Sequence, residues 1–261
     1  MKFYNAFGIK PTNSFTSAGS DYYIPNLDTK EKKNLAYKTF EKSYKKTTEE
    51  ITRIHDTFEF LLTSENETSL IKHIPNMVQL YLSLYNLELE GLKENTNYVE
   101  AVTYFLDECL VYDFKNDKVG VKLNLNDTLF INSGIKIALD TVLSDKDNDD
   151  TQDIISMLRS LGIGVAGLYV NKSGMGNKGF DIRACLVDED YSGFVHLSVA
   201  YTKDVFDNGE NIVYCGDKLT QMMLIPIFHD EYIDTDEETY NKIMANSQRG
   251  DKGFGSQDVK H

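Results

Sequence analysis

The spacing of hydrophobic positions changes twice along the chain. Near the start, short apolar segments punctuated by Pro11 and Pro25 predict extended structure, because proline lacks a backbone N–H and drives the residue before it out of the helical region. From Lys30 to Leu62 there is neither glycine nor proline. Tyr37, Phe40, Tyr44, Ile51, Ile54, Phe58 and Leu61 recur there at steps of three, four, seven, three, four and three. That spacing lines one face of a helix and leaves Lys and Glu on the other, so it predicts one long amphipathic helix. Thr68–Leu92 carries a second stripe (Leu70, Ile74, Met77, Tyr81, Leu84), restarted at Pro75, and Tyr98–Tyr112 a third (Val102, Phe105, Cys109, Tyr112).

Beyond Asp117 the period falls to two. Val121, Leu123 and Leu125 alternate with polar neighbours, Phe130–Leu139 follows, and residues 168–228 read as strand after strand, with turns at Asp188–Gly193, Phe206–Glu210 and Cys215–Asp217. Strands so closely spaced predict a β-barrel or sandwich. After Phe228 the pattern fades into a polar, acidic tail that ends with Gly250, Gly253 and Gly255. The expected organisation is mainly β: residues 1–27 and 118–261, with a C-terminal arm from about residue 232, interrupted by an α-helical insertion at 28–117. The stripes of the insertion form its own core or dock onto the β domain.

Two letter patterns mislead. Gly162, Gly164 and Gly167 spell GxGxxG, but a dinucleotide site needs a helix after the glycines, and here a strand follows at Leu168-Tyr169-Val170. Between Asp140 and Ser160, where a short amphipathic helix is expected around Ile154–Leu158, Asp145, Asp147 and Asp149 match the start of a calcium loop. Asp150 then replaces the glycine the loop requires, and Ser156 stands where its bidentate Glu belongs, so the run is read as a solvated loop.

Composition narrows the partners. With 41 acidic against 27 basic residues the formal charge is −14, which disfavours nucleic acid and anionic membranes. Any phosphate site must offset that field with local bases, backbone N–H groups or a divalent cation. Cys109, Cys185 and Cys215 show no metal-binding spacing and are expected as free thiols in a reducing compartment. Neither an N-terminal signal run nor a membrane-length apolar stretch is visible, so a cytoplasmic location is expected, the host cytoplasm if the source is viral. The abundance of Lys, Asn, Asp, Tyr and Ile suits a low-GC organism or virus.

The chemistry centres on Gly179–Gly193. Phe180, Ile182, Ala184 and Leu186 alternate as in a strand, Asp188-Glu189-Asp190 makes an acidic turn, and Tyr191 and Gly193 lead into a second strand from Phe194 to Ala200. A carboxylate and an aromatic ring at the mouth of a hairpin suit a flat ligand, although acidic hairpin tips are commonly solvated turns.

Four further blocks surround this one. Ala18-Gly19-Ser20-Asp21 lies upstream, Lys172-Ser173-Gly174-Met175 just before it, Gly216-Asp217-Lys218-Leu219-Thr220-Gln221 after it, and Arg249–Ser256 near the end. In this order the five blocks resemble the motifs of the trimeric dUTPases (dUTP diphosphatases), and residues 162–230 resemble the family almost continuously. The resemblance implies a dUTPase-like β-barrel or jelly roll with a large helical insertion after the first motif. It implies Mg2+-dependent hydrolysis of dUTP to dUMP and pyrophosphate in a homotrimer whose sites draw on all three subunits.

Roles follow residue by residue from the same resemblance. Asp188 would be the catalytic carboxylate that activates water, and Tyr191 the ring that packs on the deoxyribose and excludes a 2′-hydroxyl. The hairpin opened by Gly179 would read uracil through its backbone. Lys172, Ser173 and Gly174 would bind phosphate oxygens, Gln221 the α-phosphate and the water, and Arg249 and Ser256 phosphates from the arm. Phe254 would stack on the base, and Asp21 would reach Mg2+ through water.

The departures fall on phosphate binding. Asn171-Lys172-Ser173 stands for the usual Pro-Arg-Ser, Lys218 for an Arg, and Gln257 for a common Thr; lysine keeps the charge but loses the planar fork. The related dCTP deaminases read their base with other residues, and Val187–Tyr191 with Phe254 favours the dUTPase reading. The competing reading is a dUTPase-fold regulatory or structural binding protein that acts through its helical insertion, with a protein partner for residues 28–117 and weak or no catalysis.

Overall fold

Backbone pairing sorts the extended segments into four small sheets. The computed structural model describes residues 2–13, 18–65, 67–85, 97–139, 157–203, 211–229, 234–243 and 245. Its strands are β1 (Lys2–Asn5), β2 (Ser20–Tyr23), β3 (Leu110–Asp113), β4 (Lys118–Lys122), β5 (Thr128–Asn132), β6 (Ile135–Ala138), β7 (Ile163–Asn171), β8 (Phe180–Ile182), β9 (Leu186–Val187), β10 (His196–Tyr201), β11 (Ile212–Tyr214) and β12 (Lys218–Phe228). They hydrogen-bond in the orders β1-β6, β5-β10-β8, β11-β4-β3 and β2-β12-β7-β9. The helices are α1 (Lys30–Tyr44), α2 (Thr48–Ser64), α3 (Ile74–Tyr85), α4 (Tyr98–Tyr104), α5 (Ser173–Lys178) and α6 (Glu237–Ile243). A 3-10 turn, Thr68–His73, leads into α3, and a π turn, Phe105–Cys109, follows α4. The architecture is mainly β with a helical segment set into it, as the two hydrophobic periods require.

Residues 1–227 form one compact unit and residues 228–261 a second. In the second, Asp236 accepts from the Thr239 N–H at the start of α6, and α6 buries none of its residues. Among the described residues no helix is long and apolar enough to cross a membrane.

The expected long helix is two. Lys45 takes a left-handed conformation (φ 51°), and Thr47 then starts α2 with a capping box. The Thr47 side chain accepts from the Glu50 N–H while the Glu50 carboxylate accepts from the Thr47 N–H, so the orphan donors of the new helix are satisfied. The step of seven between Tyr44 and Ile51 is where the stripe is interrupted. The third helical stripe also stops early: after Cys109 the chain becomes β3, which pairs with β4 from Leu110↔Val121 to Asp113↔Lys118. Sheet pairing there outweighs the helical spacing that Tyr112 completes.

Of the two expected arrangements the helical segment takes docking: it shares its core with the β domain. Phe40 and Tyr44 of α1, Met77 and Tyr81 of α3, Ile131 of β5 and Phe7 belong to one buried cluster. Polar residues fix the seam. Asn132 donates from its backbone to the Tyr44 hydroxyl (3.1 Å) and from its amide to Ser43 Oγ (2.7 Å), and Tyr44 shares a second hydrogen bond with Ser83 (2.8 Å). Asn76 accepts from the Leu27 N–H (2.7 Å), and Gln79 donates to the Pro25 carbonyl (3.2 Å). Tyr44, Asn76 and Gln79 on the helices thus each meet a group on the strands or their connections, while Gln79 Oε1 is buried with no hydrogen-bond partner among the described residues.

Around Gly179–Gly193 the pairing differs from a simple hairpin. The strand expected from Phe180 to Leu186 is interrupted at residues 183–185. Its first part, β8, pairs with β10 and its second, β9, with β7, so the stretch bridges two sheets. After β7, α5 takes the place of continuous strand. At Cys215–Asp217 the chain turns through Gly216 (φ 90°) and passes from β11, which pairs with β4, to β12, which pairs with β2. The acidic run at 145–150 and the turn at Phe206–Glu210 lie outside the described residues.

Candidate active site

Three blocks far apart in sequence converge on one carboxylate. β2 carries Asp21 directly opposite Gln221 of β12. Lys218 opens β12, and Lys172 ends the connection from β7 to α5. Lys172 Nζ lies 2.8 Å from Asp21 Oδ1 and Lys218 Nζ 2.9 Å from Oδ2. Burial pushes the Asp21 carboxyl up, but the two lysine hydrogen bonds and charges outweigh it, and the net shift is downward. Gln221 Nε2 donates to the Gly19 carbonyl (3.2 Å), which ties β12 to the loop before β2.

Ser173 and Gly174 follow on the first turn of α5, both exposed. Buried Met175 anchors that turn, and a Cβ at Gly174 would meet nothing within 4 Å, so the backbone there lies open to a ligand. Gly179 is held by geometry: its φ of +96° suits glycine, and a Cβ would come within 2.7 Å of the Lys203 side chain. Asn171, where the family pattern has proline, is used structurally. Its amide oxygen accepts from the Ile182 N–H (2.9 Å) and its nitrogen donates to Asp181 (2.8 Å), which joins the end of β7 to β8.

Asp188 and Tyr191 sit elsewhere. Asp188 is exposed and starts a turn closed by the Tyr191 N–H donating to the Asp188 carbonyl (3.2 Å). The Tyr191 hydroxyl donates to the Phe194 carbonyl (2.8 Å). Its ring then lies so close to Gly193 that a Cβ there would be 2.5 Å from the hydroxyl oxygen. Arg159 pairs with Glu189 at 3.1 Å and holds the flank of the turn. The chain before Asp188 is in register with the middle of β7, Val187 opposite Gly167. Lys172 lies five residues further along, or about 17 Å at ~3.3 Å per residue. Within one chain, therefore, Asp21, Lys172, Lys218 and Gln221 come together, while Asp188 and Tyr191 do not join them. Arg249, Phe254 and Ser256 lie outside the described residues.

Sequence reasoning did not anticipate that Lys172 and Lys218 act as a pair, or the parts played by Arg159 and Gly193. As for metals, Asp21 has the hard carboxylate oxygens that a hydrated Mg2+ takes, but each is held by a lysine ammonium, so it would meet such an ion only after Lys172 and Lys218 turn to bound phosphates. One other grouping of potential ligands occurs among the described residues, His55, Asp56 and Glu59 on α2. Both His55 nitrogens there have other neighbours, Tyr37 Oη at 3.1 Å and the Lys33 ammonium at 3.2 Å, which does not suit a cation.

Residues 134–257 match the dUTPase family model. Among solved structures, the chain is similar to a Staphylococcus bacteriophage 80alpha dUTPase G164S mutant with dUpNHpp, at 16% identity and a TM-score of 0.39 over 57% of this chain and 91% of that one. A dUTPase from phage phi11 of S. aureus matches at 16% identity and a TM-score of 0.32 over 45% of this chain and 77% of that one. The EIAV dUTPase matches at 16% identity and 0.30, over 50% of this chain and 92% of that one.

Proposed function

Because the chain belongs to the dUTPase family through residues 134–257, we propose that it hydrolyses dUTP to dUMP and pyrophosphate with Mg2+. The observation that carries this reading is the convergence of Asp21, Lys172, Lys218 and Gln221 from three separated blocks. In an acidic chain, two lysines held on one carboxylate beside an open glycine-containing turn make a site ready for a more highly charged anion. When a triphosphate binds, the two ammonium groups move from Asp21 to phosphate oxygens. The freed Asp21 carboxylate would hold a hydrated Mg2+ through water, and that ion would supply further charge neutralisation on the phosphates.

The chemical step needs a water held in line with the α-phosphorus. Asp188 takes a proton from that water as its oxygen bonds to the α-phosphorus, and the bond to the bridging oxygen of the β-phosphate breaks to release pyrophosphate. Gln221 orients the α-phosphate and the water. Tyr191, its hydroxyl fixed on the Phe194 carbonyl, presents a ring to the deoxyribose and leaves no space for a 2′-hydroxyl. By the motif they match, Arg249 and Ser256 bind phosphates and Phe254 stacks on the base.

The roughly 17 Å between the Asp188 turn and Lys172 supports a composite site in which Asp188 of one protomer serves the phosphate cluster of another, hence a homotrimer. The test is pyrophosphate release from dUTP, dCTP, dTTP and UTP with Mg2+, for the wild type and Asp188→Asn side by side. Release from dUTP alone, abolished by Asp188→Asn, is the expected result. Release from several nucleotides, or full activity in Asp188→Asn, overturns the reading.

A further inference from the structure

A cavity of about 730 Å3 lies between α1 and the turn that follows Asp188. Its volume falls within the range of small-molecule sites. Of the residues assigned above, Tyr191 alone lines it; neither the 179–188 stretch nor the Asp21 cluster does.

Its charge is unlike the rest of the molecule. Lys38 and Lys42 project from one face of α1, and Lys136 of β6 joins them, while Asp190 is the one acid on the wall. None of the three lysines makes an ion pair among the described residues, although Lys32 on the same helix pairs with Asp28 and Lys46 with Glu50. Like charges four residues apart on a helix repel, and neither Lys38 nor Lys42 has an ion-pair partner among the described residues to offset that repulsion. In a chain of net charge −14, three unpaired cations around one concavity form a local positive well.

The floor is aromatic and holds an unsatisfied polar atom. The His196 and Phe130 rings stack with centroids 4.5 Å apart and planes 6° from parallel. Lys136 Nζ sits 4.9 Å above the Phe194 ring. His196 Nε2 is buried and has no hydrogen-bond partner among the described residues. A buried polar atom without a partner is costly, and a ligand that reaches it removes that cost. Burial also holds the His196 pKa below its usual value, so a neutral ring faces the site at pH 7.

We infer that this cavity binds a small phosphate-bearing molecule, with Lys38, Lys42 and Lys136 on the phosphate and the His196 ring at the cavity floor. Long polyanions are disfavoured by the charge of the whole chain, and a neutral ligand would leave the lysine repulsion unrelieved. The inference stands without the hydrolytic reading, because it uses none of the groups assigned to the chemical step.

The test titrates the full chain with pyrophosphate and, separately, with dUMP by calorimetry, while NMR follows the His196 ring signals. Three proteins are compared: wild type, Lys38→Ala/Lys42→Ala, and Lys172→Ala/Lys218→Ala. Binding that shifts the His196 signals, falls at least tenfold in Lys38→Ala/Lys42→Ala and persists in Lys172→Ala/Lys218→Ala is expected. Pyrophosphate as the tighter ligand marks a site for free phosphates, and dUMP as the tighter one a nucleotide site; either supports the inference. Lys38 and Lys42 are exposed, so an unchanged melting temperature separates lost binding from lost folding. Identical isotherms for wild type and Lys38→Ala/Lys42→Ala, no binding by either probe, or binding that leaves the His196 signals unmoved, overturns it.

Discussion

Tyr44 and Asn132, 88 residues apart, meet at the seam where the helical insertion joins the β domain: the Asn132 N–H donates to the Tyr44 hydroxyl at 3.1 Å. The same hydroxyl shares a hydrogen bond with Ser83 of α3 at 2.8 Å, so one buried oxygen connects two helices and a strand. Tyr44→Phe keeps the ring and removes the oxygen, which leaves the Asn132 N–H unpaired. We expect a loss of about 1–3 kcal/mol in urea denaturation, the usual cost of an unsatisfied buried donor. The transition should stay single, because the core is continuous across the seam. Two separated transitions would show that the insertion folds as an independent unit.

Lys172 and Lys218 hold opposite oxygens of Asp21 at 2.8 and 2.9 Å. If they also receive the substrate's phosphates, Lys172→Ala should raise KM for dUTP about tenfold, in line with the ~1.5–3 kcal/mol of a charge-assisted hydrogen bond. Lys172→Arg supplies the planar fork and should lower KM below that of the wild type. Steady-state kinetics decides it. An unchanged KM in Lys172→Ala would confine this lysine to neutralising Asp21.

Gly193 has a different sensitivity. A Cβ at this position would lie 2.5 Å from the Tyr191 hydroxyl, so Gly193→Ala must push the ring off the Phe194 carbonyl. The turn is exposed and thermal stability should barely change. If the Tyr191 ring excludes the 2′-hydroxyl, discrimination between dUTP and UTP should fall, because that ring has moved. Retention of full discrimination would mean that another group performs the exclusion.

Asp117 joins the insertion to the turn between β3 and β4. It accepts from Lys72 (2.6 Å) and Tyr112 (2.7 Å) and lies 2.9 Å from His73 Nε2. The Lys72, Tyr112 and His73 hydrogen bonds hold its carboxyl far below the usual carboxylate range. A depressed folded-state pKa contributes stability above the unfolded value, near 3.8, and that contribution is lost as pH falls through the folded value. Asp117→Asn tolerates the left-handed backbone at this position (φ 52°) and removes the charge. Its melting temperature should lie below the wild type's at pH 6 and approach it as pH drops below about 4. A gap that does not change with pH would show that the carboxylate charge adds nothing.

How far the chain was legible from sequence depends on the range of the interaction. The stripes at Phe40, Tyr44, Ile51 and Phe58 gave helices because the period is local, and the same residues are buried. The break at Lys45 was written in the capping residues Thr47 and Glu50, a local signal that an unbroken apolar stripe obscured. The split of Phe180–Val187 between two sheets was not legible, because it is set by β10 and β7 as partners. The candidate site divides in the same way. Motif order pointed to Asp21, Lys172 and Gln221, but the Lys172–Asp21 pair spans 151 residues and only the sheet order β2-β12-β7 brings it together. The cavity under α1 left no trace in spacing, since Lys42 and His196 have no sequence relationship.

The separation along β7 makes a prediction about assembly. If Asp188 of one protomer serves the Lys172 cluster of another, Asp188→Asn and Lys172→Ala/Lys218→Ala damage different halves of a shared site. Homogeneous preparations of either should be inactive or strongly impaired. Co-refolded mixtures should recover activity, because some sites then pair an intact Asp188 with an intact lysine cluster. Random assembly of equal amounts of the two chains places both intact halves together in roughly a quarter of sites when a site draws on two different protomers. Sedimentation of the mixture should give a single trimeric species. Mixtures as inactive as their components, or a monomeric wild type that is fully active, would place the whole site within one chain and require the Asp188 turn to move toward Lys172.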